Sequence, residues 1–423
     1  MEEKIYKEYV KILGEELLPA MGCTEPIAIA YASAAAREIL GCLPEKIEIA
    51  VSGNIVKNVK SVVVPHTGGL RGIAAAVCAG VVCGRADKQL EVISQVSDEQ
   101  VQELKAFLEK MPVTILLADT PYIFDIDVRL EGQGHTSRVR IVEYHTNIVL
   151  EEKDGRTLLE KELAGATEKI TTDRSLLSVE RICEFAHCVD LADVEELVGR
   201  QARLNMAIAE EGMKNNYGAN IGKVLLQTAP QDLRVKARAY AAAASDARMN
   251  GCEMPVVIVS GSGNQGITAS VPVLVYAREL KKSREEALRA LVLSDLVTIH
   301  LKTGIGRLSA YCGAVSAGVG AGAGIAYLQG ASFKEIAHTI VNAVAIVSGI
   351  ICDGAKASCA AKISQAVEAG ILGYDMYSCG NQFYGGDGIV KKGVENTIRS
   401  VGRLAHDGMA ETDKEIIDIM LNG

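Results

Sequence analysis

Cys352-Asp353-Gly354-Ala355-Lys356-Ala357-Ser358-Cys359 is the stretch of this chain with the most concentrated chemistry. Cysteines seven residues apart would share one face of an α-helix, almost two turns along it. They follow an apolar run from Ile340 to Ile351, and Cys312 stands forty residues upstream, just ahead of a glycine- and alanine-rich segment. Three thiols meeting in a protected pocket make a soft-metal site, with one position left open. The competing reading is cysteine as a small core hydrophobe. On spacing alone the core reading is the stronger, because the chain holds no CxxC pair.

Other candidates lie at turns. Met21-Gly22-Cys23-Thr24-Glu25-Pro26 interrupts the first helical pattern. Thr24 can cap a second helix whose first turn carries Glu25 and Pro26, both favoured there. Cys23 then sits at a helix N-terminus, where the dipole lowers a thiol's pKa. That placement suits a reactive thiolate and, equally, a small residue buried beside a turn. His66, in Pro65-His66-Thr67-Gly68-Gly69, follows a strand-like run and lacks the apolar context of a core histidine, which makes it a catalytic or substrate-binding candidate. His145 is explained as well by a hairpin turn.

Gly261-Ser262-Gly263-Asn264-Gln265-Gly266 matches G-x-G-x-x-G after the apolar run Val256 to Val259. A dinucleotide site needs a second strand soon after the helix, and the residues from Ser283 read as more helix instead. The glycine-rich turn, with the Ser262, Asn264 and Gln265 side chains, can grip a carboxylate. Ser-Gly-Asn recurs at Ser52, Gly53 and Asn54, again after a strand-like run. Cys183, His187 and Cys188 have metal-like types but no fourth partner nearby, and Cys42, Cys78, Cys83 and Cys252 read as core.

These residues need elements to position them. Helix is expected over 1–42 with a break at Pro19 to Pro26, then period-two runs over 47–51 and 59–64, then a helix over 70–83. Further strands are expected over 113–117, 124–131, 136–144 and 147–152, the last three as a meander. From about residue 160 the pattern is helical, including 158–166, 178–187, 192–212, 233–249, 267–281, 284–300, 308–328, 332–349, 354–369, 389–407 and 411–421. Glycine at 313, 318, 320, 322 and 324 would make a poor isolated helix, so it implies close backbone packing. The fold class is α+β: an N-terminal helical segment (1–42) packing near the active site, an α/β lobe with a mixed sheet (43–158), and a large helical cluster-binding domain (159–423).

With 423 residues the chain can build a large core. Aromatics are 4% with no Trp, so that core is aliphatic and rich in small residues. A net charge of −9 argues against nucleic acid and anionic membranes as partners. The charged N-terminus has no signal-peptide pattern and the apolar runs are too short or too rich in Gly and Ala to span a bilayer, which points to the cytoplasm. Eleven cysteines there are expected to be reduced. A homo-oligomer is left open.

Together, the Gly-Cys-Thr-Glu-Pro block, Pro65 to Gly69, Ser262 to Gly266 and the Cys-Asp-Gly-Ala-Lys block resemble the iron–sulfur L-cysteine desulfidases, relatives of the iron–sulfur L-serine dehydratases. The likeness runs from about residue 10 to 420. It implies a [4Fe–4S] cluster held by Cys312, Cys352 and Cys359, and a proton acceptor at Cys23. The activity implied is α,β-elimination of L-cysteine to pyruvate, hydrogen sulfide and ammonia in an oxygen-sensitive enzyme. The serine dehydratase pattern has Cys-Asp-Pro with the next ligand farther on; Cys-Asp-Gly with Cys359 seven residues later favours the desulfidase branch. The remaining alternatives are a serine dehydratase, a pyridoxal phosphate enzyme using Lys356, and a non-catalytic iron–sulfur redox or iron sensor.

Overall fold

The computed structural model describes residues 1–21, 24–162, 172–306 and 309–422. In chain order, α1 (Glu3–Glu16), β1 (Pro19–Met21) and α2 (Thr24–Leu40) lead to β2 (Lys46–Val51), α3 (Gly53–Val59) and α4 (Gly72–Cys83). Then come α5 (Asp98–Lys110), β3 (Val113–Leu117), β4 (Asp125–Gly132), β5 (His135–Val142), β6 (Ile148–Lys153) and β7 (Arg156–Glu160). The remainder is α6 (Val179–Cys188), α7 (Glu195–Lys214), α8 (Ile221–Thr228), α9 (Leu233–Met249), β8 (Pro255–Val257), α10 (Gly263–Glu279) and α11 (Arg284–Ile305). It closes with α12 (Gly313–Leu328), α13 (Phe333–Val347), α14 (Cys359–Ser378), α15 (Val394–Arg403) and α16 (Ala410–Asn422). The α+β class holds, and no helix among the described residues is long and apolar enough to cross a membrane.

The chain forms two compact units. One comprises residues 22–170, 353–356 and 415–423; the other comprises 1–21, 171–352 and 357–414. The first is built on a six-stranded mixed sheet of order β3-β2-β4-β5-β6-β7, with β2 and β3 parallel and the other pairs antiparallel. Alternation along β2 turns Ile47, Ile49 and Val51 into the core they share with the buried residues of α2 and α4. Those two helices touch backbone to backbone, since a Cβ on Gly80 would lie 2.1 Å from the Ala30 carbonyl oxygen.

Among the described residues, the second unit is helical apart from the short pairing of β1 with β8 and isolated bridges. Its centre is α12, packed between α11 and α14. A Cβ on Gly322 would lie 2.5 Å from the Gly370 carbonyl oxygen of α14, and one on Gly320 would lie 2.5 Å from the Ser294 carbonyl oxygen of α11. The glycines of α12 therefore serve two neighbours at once, which is the close packing their number implies.

Four sequence expectations fail. Residues 59–64 do not form a strand: α3 ends at Val59, and Val63 makes only an isolated bridge to Arg71. The β-branched run had suggested a strand, but Val59, Val62 and Val64 are buried around a turn. The start of the expected helix over 158–166 is the end of β7, which pairs with β6; residues 163–166 lie outside the described residues. Thr24 is the first residue of α2 rather than its cap, although the expected interruption of the helix is present, with β1 inside it. Finally, α14 begins at Cys359, so Cys352 and Cys359 do not share a helix face. Gly354, at φ +93°, takes the backbone into a region closed to a helix.

Candidate active site

In the helical unit, Cys312 and Cys352 are brought together by backbone pairing. Cys312 N–H donates to the Ile350 carbonyl at 3.0 Å, and Cys352 N–H donates to the Ala310 carbonyl at 2.6 Å. This antiparallel bridge centres on Tyr311 and Ile351. Cys312 then caps α12 and Cys359 opens α14, so two helix N-termini meet the thiols, each favouring negative charge. Cys312 is hydrogen-bonded to Cys352 and lies within electrostatic reach of Cys359. That hydrogen bond, burial and the two neighbouring thiols push the Cys312 thiol well up, against the pull of the Ala314 backbone N–H.

Among the described residues, no set of three His, Cys, Asp or Glu side chains converges to hold a metal ion as the side chains stand. An iron–sulfur cluster asks something different, since each thiolate binds its own iron and the ligands need not meet at a point. In type and grouping the three thiols fit such a group. A cation would also relieve their mutual resistance to ionisation, because a coordinated thiol is deprotonated outright.

Beside them lies the opening of α10. Ser260 (φ +48°) and Gly261 (φ +76°) make a tight turn closed by reciprocal hydrogen bonds between Val259 and Ser262 at 3.2 and 3.1 Å. Both left-handed central residues fit a type I′ turn. Ser262 precedes the helix without capping it through its side chain. Gln265 is buried, and its carboxamide lies so near Gly313 that a Cβ there would be 2.6 Å from Cδ. Gly313 directly follows Cys312, so Gln265 connects the two helix openings. The element after α10 is α11, not a strand, so the dinucleotide fingerprint has no second strand to complete it.

The other unit carries the remaining candidates. Ser52 is buried; its hydroxyl donates to the Ile123 carbonyl at 2.6 Å. Asn54 shares Asn58 with Glu25: Asn58 Nδ2 lies 3.4 Å from Asn54 Oδ1 and 3.2 Å from Glu25 Oε1. His145 rests on Phe124 with ring centroids 4.5 Å apart; burial pushes its pKa down while the Glu25 charge pushes it up. Sequence reasoning missed Asn58 and assigned Glu25 only a helix-dipole role. Its sole available signal was an acid in a first helical turn.

The Pro65 to Gly69 loop is closed by Val64 N–H donating to the Leu70 carbonyl at 2.8 Å. The buried Thr67 hydroxyl donates to the Val64 carbonyl at 2.7 Å, and Gly68 and Gly69 take φ of +67° and +91°. His66 is exposed at φ +57°, uncommon for a residue with a side chain. In the same unit, Ala355 N–H donates to the Lys57 carbonyl at 3.1 Å. Lys356 Nζ is 2.5 Å from the Asp353 carboxylate and also donates to two carbonyls, which commits that amine. Cys23 lies outside the described residues.

Residues 87–418 match the serine dehydratase alpha chain family. The chain is similar along its whole length to a UPF0597 protein of Desulfitobacterium hafniense, 58% identical over 100% of this chain and 98% of that one. A UPF0597 protein of Lachnoclostridium phytofermentans is 49% identical over 99% of this chain and 100% of its own length. One of Treponema denticola is 46% identical over 100% and 99%. The chain belongs to the serine dehydratase alpha chain family and is an iron–sulfur serine dehydratase-like protein.

Proposed function

We propose that the chain is an L-cysteine desulfidase, a carbon–sulfur lyase of the cytoplasm that releases hydrogen sulfide. The observation that carries this reading is the grouping of three thiols, Cys312 and Cys359 at the N-termini of α12 and α14 and Cys352 beside Cys312. These three would hold a [4Fe–4S] cluster, which when bound supplies a Lewis-acidic iron for the substrate. Iron's affinity for thiolate suits a sulfur leaving group better than a hydroxyl.

Cys23, as thiolate, takes the Cα proton; the freed pair forms the Cα–Cβ double bond as the Cβ–S bond breaks and hydrosulfide departs. The resulting aminoacrylate takes up water without assistance, giving pyruvate and ammonia. A thiolate alone is a weak base for a Cα–H, so charge building on the carboxylate needs preorganised donors. The backbone N–H groups of the loops Ser262 to Gly266 and His66 to Gly69 are assigned that role, with the side chains of Ser52, Asn54, Asn264 and Gln265 as further substrate contacts. The family description favours a second reading, elimination from L-serine by the same groups.

Iron, acid-labile sulfide, hydrogen sulfide release from L-cysteine and pyruvate release from L-serine, all measured anaerobically, decide between them. Alanine at Cys312, Cys352 or Cys359 is expected to remove iron and activity together. Cys23→Ala is expected to keep the iron and lose at least a hundredfold in turnover. Loss of iron from Cys23→Ala would make Cys23 a ligand and sink the assignment. Faster turnover of L-serine than of L-cysteine would replace the desulfidase with a dehydratase.

A further inference from the structure

The opening of α10 has a feature that a carboxylate grip alone leaves unexplained. Asn264 Oδ1 and Gln265 Oε1 are both buried without a hydrogen-bond partner. Gln265 is only 6% exposed. Buried acceptors left unmet cost free energy, and two on consecutive residues at one helix N-terminus call for a donor-rich ligand. A carboxylate has no donors to offer them. Beside them stands a cation that no local sequence pattern singles out. Arg248, next to last in α9, lies against Gly263 so closely that a Cβ there would be 2.4 Å from Nε and 2.7 Å from Cζ. Only glycine at 263 lets the guanidinium approach the first turn of α10.

We propose that the α10 N-terminus is a subsite for an α-amino acid zwitterion: the Arg248 guanidinium and the first-turn N–H groups hold its carboxylate, while the Asn264 and Gln265 carboxamide oxygens accept from its ammonium. Each half of the ligand meets its complement. The carboxylate finds a planar fork of donors and the positive end of a helix dipole. The ammonium finds two acceptors preorganised by burial. Contact of Gln265 with Gly313, the residue after Cys312, carries the subsite to the thiol group. The assignment rests on reading the chain as an amino-acid lyase, and is indifferent to the leaving group.

Calorimetric titration of the anaerobically iron-loaded protein tests this with L-alanine, which has the zwitterion but no leaving group, and with its two halves, propionate and ethylamine. L-alanine is expected to bind at least tenfold more tightly than either half. Arg248→Met should weaken both L-alanine and propionate at least tenfold, with Arg248→Lys between it and the wild type. Gln265→Leu should weaken L-alanine while leaving propionate unchanged. Unaltered L-alanine affinity in Arg248→Lys and Gln265→Leu proteins that melt like the wild type would overturn the subsite, as would failure of L-alanine to bind the wild type. Hydrogen sulfide and pyruvate release, followed separately, report on the lyase reading. Arg248-dependent L-alanine binding without any elimination would keep the subsite and remove the lyase; elimination untouched by these substitutions would do the reverse.

Discussion

His66 holds a left-handed backbone conformation that glycine adopts freely and a side chain resists, and its imidazole is exposed on a loop closed from below by Thr67. Such strain costs about 1 kcal/mol and is kept where the side chain has work to do. His66→Gly should therefore leave the protein as stable as before or stabler by up to roughly 1 kcal/mol, while lowering turnover. Thermal melts and initial rates on the same preparation check this, and unchanged turnover would return His66 to the status of an ordinary loop residue. The histidine, its flanking glycines and the three thiols were all legible as candidates from residue type. The partnerships were not. Asn58 beside Glu25, and Arg248 against Gly263, join residues distant in sequence, and no local pattern announces such contacts.

Helix α12 translates its glycines into proximity. Positions 318 and 322 face α14 and positions 320 and 324 face α11, so the helix passes between its neighbours at backbone distance. Gly322→Ala would drive a methyl into the Gly370 backbone, where no flexible side chain can yield. It should destabilise the helical unit by about 1–3 kcal/mol, despite alanine's better helix propensity. A higher melting temperature for Gly322→Ala would contradict the packing described. This much the composition of the segment foretold. The cysteine-bearing stretch shows what composition leaves open: Cys352 and Cys359 keep helical spacing, yet Gly354 breaks the helix and the bridge of Tyr311 with Ile351 sets Cys352 beside Cys312. A seven-residue spacing permits one helix face without requiring it.

Among the described residues, the helical unit also buries the carboxyl groups of Asp295 and Asp246, and this makes the molecule's stability depend on pH. Asp295 on α11 is fully buried, accepts at 2.9 Å from Gln201 Nε2 of α7, and is pushed up to about 7 by desolvation. Asp246 on α9, with Gly222 N–H at 3.3 Å from its Oδ2, is pushed up to about 6 for the same reason. Both bind the proton more tightly folded than at their ordinary value of 3.8. Their contribution is therefore full below about pH 4 and is lost as pH rises through the folded values, levelling off above about 7. Asp295→Asn keeps the acceptor facing Gln201 and cannot ionise. Between pH 5 and 8 the urea midpoint of the wild type should fall relative to that of Asp295→Asn, by a difference worth a few kcal/mol. Asp246→Asn should remove a smaller part, ending about one pH unit lower. With no Trp in the chain, far-ultraviolet circular dichroism is the natural signal, and it reports mainly on the helices in question. Parallel pH dependences for the wild type and Asp295→Asn would mean that Asp295 is ionised in the folded protein, stabilised by a partner beyond Gln201.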